Sequence, residues 1–343
     1  MHDTIRNRIL PTEIWYPASD DYLGQDLDEE TQDKFSIIGI PGSQEAVRDT
    51  KRREGTFPLI IFSHGFGGFN RIASHLCCHL ASHGYIVASP NHVGNTIMDM
   101  VKLADKTDQE LMNLLSQVFL DRPKDILFLI DCILENNASI PSDVIKGEYV
   151  GVTGHSFGGW TTLMATSQDE RISTILPIAS AGGAVQDPNE ENPFYDALDL
   201  NWKHEVNTLY VAADKDAQVP ITSIYDLFNR THEPKRMFVL NNAAHMHFSA
   251  FSELAHEMIR TQPEMVYGDT LFAKQLKESM VPFSKLCSAK NGEDFLRGLG
   301  LAHMDAYLKK KADALEWIEG DIIAYMADQG IDVSLPKKSE III

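Results

Sequence analysis

Tyr149 to Gly159 reads Tyr-Val-Gly-Val-Thr-Gly-His-Ser-Phe-Gly-Gly, and no other stretch restricts the fold as much. A short β-rich run enters Gly154-His155-Ser156-Phe157-Gly158, and a helix-compatible segment, Trp160 to Thr166, leaves it. Strand, sharp turn and helix in that order hold the turn serine in a strained conformation with its hydroxyl exposed. Gly154 and Gly158 keep side chains out of the path of the neighbouring strand and helix. The helix N-terminus aims free N–H groups at any negative charge that forms nearby. Ser156 is therefore expected to be a nucleophile.

A serine hydroxyl is a weak nucleophile at neutral pH and needs an adjacent base. With such an elbow, the acid and then the histidine follow in chain order, each just past the C-terminal end of a later strand. Thr208–Ala212 and Arg236–Leu240 have strand composition. Asp214 and Asp216 follow the first, and His245 and His247 follow the second. The Asp214-Lys215 pair suits a solvated turn, which favours Asp216 as the acid. His245 follows two alanines that let its loop approach the serine, leaving His247 to line the pocket or the core. The oxyanion needs two donors. The Phe157 N–H is one, and the Phe66 N–H in Gly65-Phe66-Gly67-Gly68, after the apolar run Phe57–Phe62, is the other.

The remaining chain supplies the frame. Arg8–Tyr16 reads as an edge strand, Asp20–Asp33 and Gly42–Gly55 as loops, and Tyr85–Ser89 and Ile175–Ala179 as further strands. Arg71–His83 has helical periodicity. Thr107–Glu110 has the spacing of a capping box and opens a helix to about Leu120, and Pro123 opens a second helix to Glu135. Strands alternating with helices predict an α/β fold, a mostly parallel sheet with helices on both faces. His64, His92, Asn95, His155, Trp160 and His247 fall near strand ends or the elbow and are candidate pocket residues. His75, His79 and His83 recur at helical spacing, better read as packing than as a metal face. Residues 250–294 read as a helical insertion within a single domain, able to cover the site, and Phe295–Gln329 holds a long helix. The tail from Ser334 to Ile343 has no assigned element.

Composition excludes several function classes. A net charge of −19 disfavours nucleic acid and anionic lipid surfaces. No run is apolar enough to span a bilayer, and Met1–Leu10 lacks the apolar core of a signal peptide. Four cysteines, two of them adjacent at 77 and 78, suggest reduced core thiols and a cytoplasmic location, the alternative being secretion after removal of a signal. No Cys/His cluster has zinc spacing. The chemistry expected of Ser156 requires no cofactor.

Phe62-Ser63-His64-Gly65-Phe66-Gly67-Gly68, the Ser156 elbow, Asp216 four residues before Pro220, and His245 together resemble the α/β-hydrolase superfamily. Within it, Leu10–Ala18, Pro90–Thr96 and Arg122-Pro123-Lys124-Asp125-Ile126 are similar to dienelactone hydrolases and to esterases of the platelet-activating-factor acetylhydrolase type. The resemblance implies a cofactor-independent serine hydrolase acting on small to medium acyl esters. The same residues would serve a thioesterase, an acyltransferase or a lactone hydrolase, whereas a non-catalytic binder on this scaffold usually lacks a triad member. Dienelactone hydrolases use a cysteine where Ser156 stands, so the lactone activity does not carry over. Residues Phe251 to Glu293 are longer than that group implies.

Overall fold

Eight strands form one sheet: β1 (Thr12–Trp15), β2 (Leu59–Ser63), β3 (Ile86–Pro90), β4 (Val150–His155), β5 (Ile172–Ile178), β6 (Asn207–Ala213), β7 (Lys235–Leu240) and β8 (Val333–Ser334). They lie in the order β8-β7-β6-β5-β4-β2-β3-β1. All pairs are parallel except the two at the edges, β1 with β3 and β8 with β7. The computed structural model describes residues 1–101, 108–135, 142–147, 149–184 and 192–336. The chain runs outward from β2 to β3, then returns to place β4 on the other side of β2. Loops leaving β2 and β4 diverge at that reversal, which is where an open α/β sheet holds its ligand.

Alternation along the strands builds two cores. Ile60 and Phe62 of β2 face one side, with Leu76 and Leu80 of the helix Ser74–Ser82 and Phe295, Leu296 and Leu299 of the helix Ala289–Tyr307. Leu59 and Ile61 face the other, with Ile126, Leu129, Ile130 and Ile133 of the helix Asp108–Leu134. Side chains of successive strand residues point to opposite faces, so a strand covered on both must be apolar throughout.

Three elements depart from the sequence expectations. Asp108–Leu134 is one helix with Pro123 inside it, where two helices were expected. Arg122 and Asp125, flanking the proline, are fully buried and bonded across to other elements, so tertiary bonds outweigh the hydrogen bond that proline omits. The expected capping threonine, Thr107, lies outside the described residues, as do 337–343 of the tail. Asp33–Ile37 and Ile40–Gln44 form a β-hairpin, partly inside segments expected to be loops. Its turn residues Ile38 and Gly39 have φ of 50° and 76°. A β-branched residue is rare at positive φ, so the turn carries none of the usual asparagine or aspartate signal. The stretch 251–293 is broken into helices Ser252–Thr261, Glu264–Tyr267 and Leu271–Ser279 and a 3₁₀ turn Phe283–Lys285, after which the helix Ala289–Tyr307 begins.

Candidate active site

Ser156 sits between β4 and the helix Phe157–Thr166 at φ 60° and ψ −119°. A non-glycine residue held there stores roughly 1–3 kcal/mol of backbone strain, which persists only where its surroundings enforce it. Here the enforcement is visible. The Ser156 N–H donates to Ile178 O at 2.8 Å, and its carbonyl accepts from Gly159 and Ala181. A Cβ on Gly158 would stand 1.9 Å from the carbonyl oxygen of Ser63, and one on Gly154 would stand 2.3 Å from that of Gly158. Glycine is needed at both positions because strand, elbow and helix are in backbone contact.

The loops after β6 and β7 bring Asp216 and His245 together. His245 Nδ1 lies 2.6 Å from Asp216 Oδ2, and both side chains are almost fully buried. The other oxygen of Asp216 accepts the N–H groups of Gln218 and Val219 at 2.9 and 2.8 Å. A carboxylate so held accepts the Nδ1 proton and leaves Nε2 as the basic nitrogen. Asp214 instead pairs with Lys215 at 3.2 Å on a partly exposed turn and accepts weakly from Ala243 N–H. His245 is tied to the elbow through His155, which precedes Ser156. His155 Nε2 donates to the His245 carbonyl at 3.0 Å, and the two rings are 4.4 Å apart. Burial, reinforced by His245, holds the His155 imidazole well below its ordinary pKa, so it stays neutral.

The β2 loop closes on the same point. A Cβ on Gly65 would lie 3.3 Å from Ser156 Cβ and from the His155 carbonyl oxygen, so the two backbones approach closely here. Phe66, next in the chain, is half-buried and stacks on Tyr267 at 6.4 Å. On the far side Phe119, Phe157, Trp160 and Phe194 form an apolar wall, with Phe119 to Phe194 at 4.8 Å.

The six candidate pocket residues all sit inside the protein's packing. His64, His92, Asn95, His155, Trp160 and His247 are all buried. Each has at least one polar atom bonded within the protein. His64 Nε2 accepts the His92 N–H at 3.0 Å, which requires Nδ1 to carry the proton that it donates to Gly65 O at 2.8 Å. His92 lies between Ser63 Oγ at 2.9 Å and Asp125 at 3.0 Å. Asn95 accepts from Arg122 at 2.6 Å. Trp160 donates to Phe194 O at 2.8 Å, and His247 Nε2 lies 3.0 Å from Cys287 O. A histidine or asparagine near a strand end reads as pocket-lining in sequence, and the packing adds the bonds that these make within the protein. Residues absent from the sequence expectations are Arg122 in a site role, Asp125, Phe119, Phe194, Gln218 and Tyr267. Their partners are 27 to 49 or more residues away in most cases, beyond any local signal.

A cavity of about 340 Å³ between the 33–44 hairpin and β1 is lined by other residues. Among its charges Arg48 pairs with Glu13 and Asp33 at 2.6 and 2.8 Å, and Arg71 reaches Glu13 at 2.9 Å.

Comparison with known proteins places this geometry. A solved ferulic acid esterase from Streptomyces cinnamoneus superposes with a TM-score of 0.63 over 97% of this chain and 91% of that one, at 19% identity. The fold is the α/β-hydrolase fold. The family model for platelet-activating factor acetylhydrolase, isoform II, matches residues 31–125, which include the Gly65–Gly68 loop and end before Ser156. Platelet-activating factor acetylhydrolase of Canis lupus familiaris is 30% identical over 34% of this chain, and the chain spans only 33% of that protein. The Cavia porcellus protein of the same name is 24% identical over 91% of this chain and 73% of its own length. The chain is thus related to α/β-hydrolase serine esterases. Among the described residues no helix is long and apolar enough to cross a membrane.

Proposed function

We propose that the protein is a serine hydrolase of carboxylic esters, working through an acyl-enzyme. The observation that carries this reading is the 2.6 Å His245–Asp216 pair, tied through His155 to the strained Ser156 elbow. Ser156 Oγ attacks the ester carbonyl while His245 Nε2 takes its proton. The Phe66 and Phe157 N–H groups hold the resulting oxyanion. The C–O bond breaks, and His245 returns the proton to the departing alcohol. Water, deprotonated by His245, then cleaves the acyl-enzyme to the acid and free Ser156.

The apolar wall of Phe119, Phe157, Trp160 and Phe194 supports small to medium acyl groups as substrates. The insertion supports a roof over them. Tyr267 stacks on Phe66 and donates to Gln218 at 2.6 Å, so it bridges the proposed oxyanion loop and the acid loop. Met246, Ile259, Leu276 and Met280 anchor that roof beside His245. Four free cysteines, three of them buried, support residence in the reducing cytoplasm.

Replacing Ser156 with alanine should abolish hydrolysis of p-nitrophenyl esters and labelling by a fluorophosphonate. Labelling that survives in the variant would remove Ser156 from the mechanism.

A further inference from the structure

Arg122 is among the largest fully buried side chains in the protein, and among the described residues its guanidinium bonds to no carboxylate. A buried cation is expensive unless it is fully bonded. Its acceptors here are all neutral. Nε donates to Thr161 Oγ1 at 2.9 Å and Nη1 to Asn95 Oδ1 at 2.6 Å. Nη2 donates to Ser63 Oγ at 3.2 Å and, by a short bond, to the backbone carbonyl of His64. The nearby Asp125 is engaged elsewhere, by Arg6, Arg8 and His92. Burial lowers the Arg122 pKa to about 9, which still leaves the group charged at neutral pH.

These acceptors are not scattered. His64 immediately precedes Gly65-Phe66, the segment read above as the first oxyanion donor. Thr161, which accepts from Arg122, donates its own hydroxyl to the Phe157 carbonyl at 2.8 Å. The guanidinium also lies 4.3 Å from the centroid of the Phe157 ring. One rigid, planar group therefore bonds the backbone of the β2 loop directly and reaches the Phe157 backbone through the Thr161 hydroxyl. The bonds beyond it fix every proton. Arg122 Nη2 donates to Ser63 Oγ, Ser63 donates to His92 Nε2, and His92 Nδ1–H donates to Asp125.

We propose that Arg122 is a positioning residue that sets the spacing of the Phe66 and Phe157 amides by clamping the β2 loop to the nucleophile's helix. This rests on the reading of Ser156 as nucleophile. A flexible cation would not serve, since the fork geometry of arginine satisfies several acceptors in one plane and lysine presents a single point charge. Displacing a reacting group by about 1 Å can cost about 10²-fold in rate, and losing one oxyanion donor costs about 10²- to 10³-fold.

The test compares Arg122→Met, Arg122→Lys and Thr161→Val with the wild type. Active sites are titrated with a fluorophosphonate, kcat and KM are measured per titrated site on a p-nitrophenyl ester, and a trifluoromethyl ketone probes the tetrahedral adduct. Arg122→Met should lose about 10²-fold in kcat, with KM within about threefold and the ketone weakened in proportion to kcat. Arg122→Lys should recover part of that loss, and Thr161→Val should show a smaller loss of the same pattern. If Arg122→Met yields no titratable protein, the other two variants decide by the same criteria. Unchanged kcat per titrated site in the variants, or a raised KM with kcat intact, would overturn the proposal. A wild-type protein that resists the fluorophosphonate, or an Ser156→Ala variant that reacts with it, would instead remove the nucleophile reading itself.

Discussion

Replacing Asp216 with asparagine is the sharpest test of the proposed triad, because the structure dictates how the amide must sit. Oδ1 of Asp216 accepts two backbone N–H groups, from Gln218 and Val219. An NH₂ group cannot occupy that position, so the amide oxygen takes it and the NH₂ turns to His245 Nδ1. The imidazole must then accept at Nδ1 and carry its proton on Nε2, the nitrogen required to be free as the base. A triad locked in the wrong tautomer loses about 10⁴ in kcat, or about 5.5 kcal/mol of transition-state stabilisation. Asp214→Asn alters a partly exposed pair with Lys215, and such a pair is worth about 0–1 kcal/mol. Its kcat should stay within about fivefold of wild type. The assay is steady-state hydrolysis of a p-nitrophenyl ester, with active sites counted by slow fluorophosphonate titration. Should Asp216→Asn keep more than about a tenth of kcat, or Asp214→Asn prove the worse variant, the tautomer argument fails.

Other perturbations read different parts of the molecule. Gly158→Ala would push a Cβ against the Ser63 and His64 carbonyls, so it should lower the urea midpoint by the equivalent of about 1–3 kcal/mol and depress kcat as well; an unchanged midpoint would show that the elbow tolerates the methyl group. Tyr267→Ala removes the stack on Phe66 and should shift the preferred acyl length of p-nitrophenyl esters while the fluorophosphonate titre stays full, and an identical chain-length profile would detach the insertion from the pocket. Stability should fall as pH drops from about 6.5 toward 4, because burial pushes His75 and His303 down to about 4 and holds His64, His92 and His155 well below the ordinary range. In that window the unfolded chain binds protons that the folded one refuses, so each such histidine removes up to about 1.4 kcal/mol per pH unit, and an equal urea midpoint at pH 7 and pH 5 would contradict it.

Much of the fold could be read before any coordinates, for identifiable reasons. The strands at 59–63, 86–90, 150–155, 172–178, 207–213 and 235–240 are buried on both faces, so each appears as an apolar run. The elbow at Ser156 was legible because its glycines answer a local steric demand. Asp216 and His245 were legible as candidates because parallel strands deliver their following loops to one end of the sheet. Chain order and residue type carry that information.

Tertiary structure alone decided which groups share a bond. Asp216 differs from Asp214 in two backbone N–H donors and one imidazole, none of which leaves a local trace. His64, His92 and Asn95 were placed near the site by sequence, and only the packing revealed their burial in a network running from Arg122 to Asp125. Arg122 itself sits one residue before a proline and reads as a helix boundary, yet long-range acceptors at 63, 64, 95 and 161 keep it inside a continuous helix. Periodicity records which face of an element meets the core, whereas bond partners are set by packing between segments far apart in the chain, and no local pattern encodes that choice.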